Sequence, residues 1–124
     1  MTTPVGEALL DAIVARDYGA IEACFADDAR FDVLTPKRLR EHRSAAEAAE
    51  RYYAWLEPLE RFEVLERGAE VVADRVRVRY LFRGRDPKSG WQLNEHTGYA
   101  AVEDSRIVAM TLTCAGFRPI SEPA

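Results

Sequence analysis

The sequence contains few cysteines and histidines, and this scarcity excludes several kinds of site. Cys24 and Cys114 are the only cysteines among 124 residues, and they are too far apart to predict a disulfide framework or a zinc site. The only histidines, His42 and His96, lack the close spacing of a local metal motif. Glycine-rich phosphate loops and the serine motifs of hydrolases are also absent. We therefore expect neither a metal nor a cofactor.

The sequence also lacks an excess of positive charge and any long apolar stretch. It has 17 Lys and Arg against 21 Asp and Glu, a formal charge of −4, whereas nucleic-acid binding requires dense basic patches. The only basic cluster, within residues 37–43, is interrupted by acidic residues. No apolar run approaches the ~20 residues that span a bilayer, and the first residues lack the features of a signal peptide. These absences predict a cytoplasmic protein that binds neither nucleic acid nor membrane.

What the sequence does contain is a first half with helical periodicity. Thr3 and Pro4 predict the start of a helix that continues to about residue 15. Asp17 predicts the cap of a second, short helix. A strand is predicted over residues 30–34. Ser44 begins a Ser-x-x-Glu capping box that opens a third helix, which Pro58 ends.

After residue 58 the periodicity becomes that of strands. Residues 76–82 alternate Val, Val, Tyr and Phe with arginine, which predicts a strand with one apolar and one polar face. A turn at 85–90 precedes a strand at about 91–102, and a tight turn at 103–105 precedes the last strand at 106–114. Helices followed by antiparallel strands predict one α+β domain over residues 1–124.

Several segments resemble the nuclear transport factor 2-like superfamily, especially its SnoaL-like and ketosteroid-isomerase-like members. The matching segments are 15–18, 24–31, the capped helix at Ser44 and 102–108, although the family usually has glycine where Ser105 stands. The resemblance covers about residues 5–117. It implies a cone-shaped, cystatin-like α+β fold in which N-terminal helices pack on a curved mixed, mostly antiparallel sheet around a pocket.

The resemblance also implies a homodimer that forms through the outer face of the sheet. The residues expected on that face are Arg77, Arg79, Tyr99, Thr111 and Thr113. It implies a small, largely apolar molecule as the other partner, bound in the pocket.

The catalytic patterns of the family are not matched. In the positions of the tyrosine and the carboxylate base of steroid isomerases, this sequence has Leu9 and Val33, and the position of the second acid falls near His96. Leucine and valine cannot transfer protons. SnoaL-type cyclases usually carry an aspartate near the end of the last strand, where Cys114 and its neighbours stand instead. We therefore expect neither reaction by its usual mechanism.

Two side chains remain as candidates for chemistry. Alternation along the penultimate strand places His96 toward the pocket, where it would act as a general acid or base. The alternative is a structural histidine bonded to Tyr52 or to the backbone. Cys114 is a weaker candidate. If His96 lies within hydrogen-bond distance, the two residues would form a Cys–His pair for covalent catalysis, and otherwise Cys114 is an inert, packed side chain.

The remaining expectations concern the pocket. Its predicted lining is Tyr52, Trp55, Phe31, Val33, Met110 and Leu112, with the alternative that the aromatic residues are core. Gly98 and Ala100 are expected to leave space, and His42 to lie at the rim or in a solvated loop. Three functions are open: a cofactor-independent isomerase, dehydratase or cyclase, a non-catalytic binding or dimerising module, and a scaffold whose pocket is filled by side chains.

Overall fold

Three helices and seven strands make up the protein, for which the computed structural model describes residues 3–123. In chain order they are α1 (Pro4–Ala15), α2 (Tyr18–Ala23), β1 (Phe25–Leu34), β2 (Leu39–His42), α3 (Ala45–Leu56), β3 (Arg61–Val72), β4 (Arg75–Asp86), β5 (Gly90–Glu103), β6 (Arg106–Cys114) and β7 (Arg118–Pro119). Among the described residues, no helix is long and apolar enough to cross a membrane.

The helices begin where their capping residues predict. Asp17 accepts a hydrogen bond from the Ala20 amide at 3.1 Å at the start of α2. At the start of α3, the Ser44 hydroxyl accepts one from the Glu47 amide at 3.1 Å. The Glu47 carboxylate accepts from the Arg43 amide at 3.0 Å, one residue earlier than in the usual capping box.

The strands form one sheet in the order β2-β1-β6-β5-β4-β3, with β7 beside β5. The β1–β6 pair is parallel and the other pairs are antiparallel, so the sheet is mixed and mostly antiparallel, as predicted. Three details differ from the prediction. The first strand begins five residues earlier, at Phe25, and neither β2 nor β7 was predicted.

The core lies between the inner face of the sheet and the three helices. Along β4, Val76, Val78, Tyr80 and Phe82 are buried on the inner face while the arginines between them lie outside. The buried face of α3, which includes Tyr52 and Leu56, packs into the same core. This arrangement turns the inner face of β5 toward α3.

Candidate functional site

A stripe of buried polar side chains runs along the inner face of β5. Gln92, Asn94 and His96 occupy alternate positions of the strand, and all three are buried. Sequence reasoning selected His96 but missed the other two. The signal was available, because residues two and four positions before an inward residue face the same way in a strand.

His96 ends a chain of hydrogen bonds that crosses the core. Its Nδ1 atom lies 2.8 Å from the Tyr80 hydroxyl, and that hydroxyl lies 2.8 Å from the Tyr52 hydroxyl. Tyr80 is the direct neighbour of His96 in the β4–β5 pair, while Tyr52 reaches the chain from α3. His96 is therefore linked to Tyr52 through Tyr80, a residue that the sequence pattern places on the apolar face of a strand.

The other ring nitrogen of His96, Nε2, is buried without a hydrogen-bond partner. When Tyr52 donates to Tyr80 and Tyr80 donates to Nδ1, the proton on Nε2 is the one group of the chain left unpaired. If instead Nδ1 donates to Tyr80 and Tyr80 donates to Tyr52, both Nε2 and the Tyr52 proton are unpaired. Each unpaired buried group costs about 1–3 kcal/mol. The favoured tautomer therefore carries its proton on Nε2, which makes His96 a hydrogen-bond donor at that atom.

The surroundings keep all three groups uncharged near neutral pH. Burial lowers the pKa of His96 to about 3. Burial also raises the pKa of Tyr80, and the neighbouring Tyr52 raises it further. For Tyr52, burial raises the pKa while the hydrogen bond to Tyr80 opposes the shift. The chain therefore offers a neutral hydrogen-bond donor in a water-poor interior.

Aromatic rings enclose the imidazole. The ring centroids of Trp55, Tyr80 and Phe82 lie 4.7, 5.0 and 5.3 Å from that of His96. Trp55 is only half-buried, because it also lines a surface cleft. The indole therefore separates His96 from the cleft.

The cleft has a volume of about 230 Å³ and mixed chemistry. Its lining is Ala54, Trp55, Pro58, Leu59, Asp86, Ser89, Gln92 and Phe117. Because Gln92 belongs to it, the polar stripe of β5 begins at this cleft and ends at His96.

The thiol of Cys114 is bonded to Asn94. Cys114 and His96 are direct neighbours in the β5–β6 pair, but the side-chain amide of Asn94 donates to the sulfur at 3.5 Å. Nε2 of His96 has no partner and its Nδ1 atom is bonded to Tyr80, so the two residues do not form a hydrogen-bonded Cys–His pair. Covalent chemistry by such a pair lacks its activating contact.

The other predicted lining residues lie in the core. Phe31, Val33, Met110 and Leu112 are buried on the inner face. The prediction that Gly98 leaves space is wrong, because a Cβ there would lie 2.5 Å from Cε of Met110 and 2.8 Å from Cδ1 of Leu112. Those two side chains already fill that part of the interior.

His42 lies on β2 and is half-buried, with its ring centroid 5.7 Å from that of Phe31. Burial, and then the charge of Arg51, lower its pKa. Within residues 3–123, no cluster of three or more histidine, cysteine or acidic side chains is arranged to hold a metal ion.

The family model for the SnoaL-like domain matches residues 7–110, and the chain belongs to that family. No curated protein matches the sequence.

Solved structures resemble the fold at low sequence identity. A protein of ketosteroid isomerase-like fold from Catenulispora acidiphila, in complex with trimethylamine, has a TM-score of 0.72 at 12% identity over 90% of this chain and 85% of its own. A proposed polyketide cyclase from Xanthomonas campestris has a TM-score of 0.73 at 15% identity, over 89% of this chain and 87% of its own. An LEH-like epoxide hydrolase from M. tuberculosis has a TM-score of 0.64 at 15% identity, over 90% of this chain and 80% of its own. At these identities the likeness concerns the fold alone.

Proposed function

We propose that this protein binds a small, largely apolar molecule between α3 and the inner face of the sheet, where His96 donates a hydrogen bond to it. The observation that carries the proposal is the buried Nε2 atom of His96, which has no partner within the described chain. A neutral donor surrounded by aromatic rings suits an uncharged acceptor, such as a carbonyl oxygen.

The route to this atom passes Trp55. Its ring contacts His96 on one side and lines the cleft on the other. A rotation of the indole away from the imidazole would join the cleft to the interior, and Gln92 would meet the entering molecule first.

We propose binding, with no turnover, as the function. Alongside His96, the buried polar groups of residues 3–123 are hydroxyls, carboxamides and thiols, without a carboxylate to serve as a base. Proposed cyclases and an epoxide hydrolase among the similar folds make cofactor-independent isomerase, dehydratase or cyclase chemistry the competing function. In that case His96 would be the acid or base. The similar fold that holds trimethylamine supports small-molecule binding in general.

A neutral fluorescent probe that carries a ketone tests the proposal. The naphthalene ketone Prodan should bind saturably to the wild type, and His96→Leu should weaken its binding about tenfold, as expected for one lost hydrogen bond of about 1.4 kcal/mol. Fluorescence titration gives the affinities, and thermal unfolding checks that the variant folds.

Thr97→Val is the matched control, because Thr97 neighbours His96 on β5 but faces the outer side. It should leave the affinity unchanged. Equal binding of Prodan by the wild type and His96→Leu would show that His96 does not contact the ligand. The absence of saturable binding would refute the proposed function. Mass spectrometry of a ligand after incubation distinguishes catalysis, since a converted product that disappears in His96→Leu would establish an enzyme.

We also propose that two copies pair through the outer face of the sheet. Tyr99 is 43% exposed there and stands between Arg77 and Thr111 in the strand pairing. Leu34 and Leu39, 51% and 55% exposed, extend this face toward the β2 edge. Apolar side chains of this size on a strand face favour burial against a partner.

A further inference from the structure

Basic side chains on β2 face the interior side of the sheet. Arg40 pairs with Val33, and His42 pairs with Phe31. Because Val33 and Phe31 are buried inner-face residues, Arg40 and His42 point the same way, and both are half-buried. The residue between them, Glu41, is exposed on the opposite side.

Arg51 approaches these residues from α3. It is half-buried, and its guanidinium carbon lies 5.7 Å from the centroid of the Trp55 ring. Burial lowers the pKa of Arg51, and the positive charges of Arg40 and Arg38 lower it further. Arg40 and Arg38 therefore repel Arg51, which lies against the ring that separates His96 from the cleft.

The nearby carboxylates compensate these charges only in part. Asp32 and Glu41 both form ion pairs with Arg43 on the outer side of the sheet. The Glu47 carboxylate raises the pKa of His42 and also accepts a hydrogen bond from the Arg43 amide. Within residues 3–123, no ion pair within 4.0 Å involves Arg38, Arg40 or Arg51.

Two buried nitrogens of this cluster also lack hydrogen-bond partners. They are Nε2 of His42 and Nε of Arg51. The Nε–H group of Arg51, and Nε2 of His42 in the tautomer that carries its proton there, can donate to an anion, and guanidinium groups suit the planar oxygens of a carboxylate.

We propose that Arg40, His42 and Arg51 form an anion site that binds the carboxylate of the small molecule whose apolar part occupies the interior. The inference rests on the proposed function for the apolar part and adds the class of ligand, a largely apolar carboxylic acid. The contact between Arg51 and Trp55 connects the two parts of the site, because the ring that would move on binding lies against the guanidinium group.

A matched pair of ligands tests the charge requirement. Naphthalene-2-carboxylate should bind the wild type at least tenfold more tightly than naphthalene-2-carboxamide, which has the same shape without the charge. Arg51→Gln should weaken carboxylate binding at least tenfold and leave carboxamide binding unchanged. Calorimetric titration at low ionic strength measures all four affinities, since salt screens such contacts.

Arg61→Gln is the control variant. Arg61 is exposed on β3, which forms the opposite edge of the sheet from β2. It should change neither affinity. Thermal unfolding of the unliganded variants confirms that both fold.

Failure of this inference and failure of the proposed function give different results. Equal binding of the two naphthalene ligands to the wild type, or binding of the carboxylate that does not depend on Arg51, would overturn the anion site. If the carboxylate binds in a way that depends on Arg51 but Prodan does not bind at all, the anion site is supported. The same result refutes the proposed binding of neutral molecules between α3 and the sheet.

Discussion

At the scale of single residues, the burial of His96 as a neutral imidazole lowers the stability of the folded protein by an amount that depends on pH. The folded protein holds the imidazole uncharged because burial lowers its pKa to about 3, whereas the unfolded chain takes up a proton near the ordinary value of about 6.5. Below that value the unfolded state binds more protons than the folded state. Protonation therefore favours unfolding as the pH falls.

We predict that His96→Gln flattens the pH dependence of stability. In the wild type, His96 should lower the free energy of unfolding by up to about 1.4 kcal/mol per pH unit between pH 6.5 and 3. Carboxylates and His42 contribute to both proteins, so the difference between the two curves isolates His96. Denaturant unfolding at several pH values measures it, and parallel curves over this range would contradict the assigned burial of a neutral imidazole.

The chemistry around His96 was only partly predictable from the sequence. Strand alternation gives the side of β5 that His96 faces, and this needs no knowledge of tertiary structure. Its partner depends on the register of the β4–β5 hairpin, which brings Tyr80 opposite, and on the depth at which α3 places Tyr52. Neither the register nor the depth is encoded in a local pattern.

At the scale of elements, the turn between β5 and β6 is strained. Asp104 and Ser105 both adopt left-handed conformations, with φ of 51° and 63°. Two such residues in a two-residue hairpin turn are best accommodated by Asn-Gly or Asp-Gly, since glycine has no Cβ to clash. Ser105 therefore occupies a position that costs the hairpin stability.

We predict that Ser105→Gly stabilises the protein by about 1 kcal/mol, because it relieves the clash of a left-handed residue. Ser89→Gly is the control, since Ser89 lies in the turn between β4 and β5 without a positive φ and should gain nothing. Chemical denaturation gives both values. A gain in both variants, or in neither, would refute strain at Ser105 as the cause.

The elements also differ in how well the sequence predicts them. Caps and proline define the three helices because those signals act within one turn of the chain. The missed strand β2 inverts the usual pattern, with Leu39 exposed on the outer side and Arg40 and His42 turned inward. Hydrophobic alternation cannot detect a strand whose inward positions are polar, and these are the positions that form the proposed anion site.

At the scale of the whole molecule, the two faces of the sheet have different roles. The inner face holds the core and the polar stripe, while the outer face carries ion pairs such as Arg79 with Glu66 and Glu95 around exposed apolar side chains. The resemblance identified from the sequence implied the fold, which the structure confirms. Pairing of two copies through the outer face remains the proposal made above.

We predict that Tyr99→Asp converts a dimer into a monomer of 14.0 kDa, because it places a charge in the centre of the proposed contact. Tyr53→Asp provides the control, since Tyr53 is 53% exposed on α3, away from the sheet face. Sedimentation equilibrium measures the mass of each. A wild-type monomer, or a dimer that survives Tyr99→Asp, would exclude this contact.

The parallel pairing of β1 with β6 has a consequence for the order in which the chain reaches its final form. β1 leaves the ribosome early, but its neighbour emerges only after β2, α3 and three long strands have been synthesised. Until then β1 has no neighbour along the edge that later pairs with β6, and such edges invite pairing with other chains. The newborn protein is therefore most vulnerable to aggregation during the interval before its sixth strand arrives.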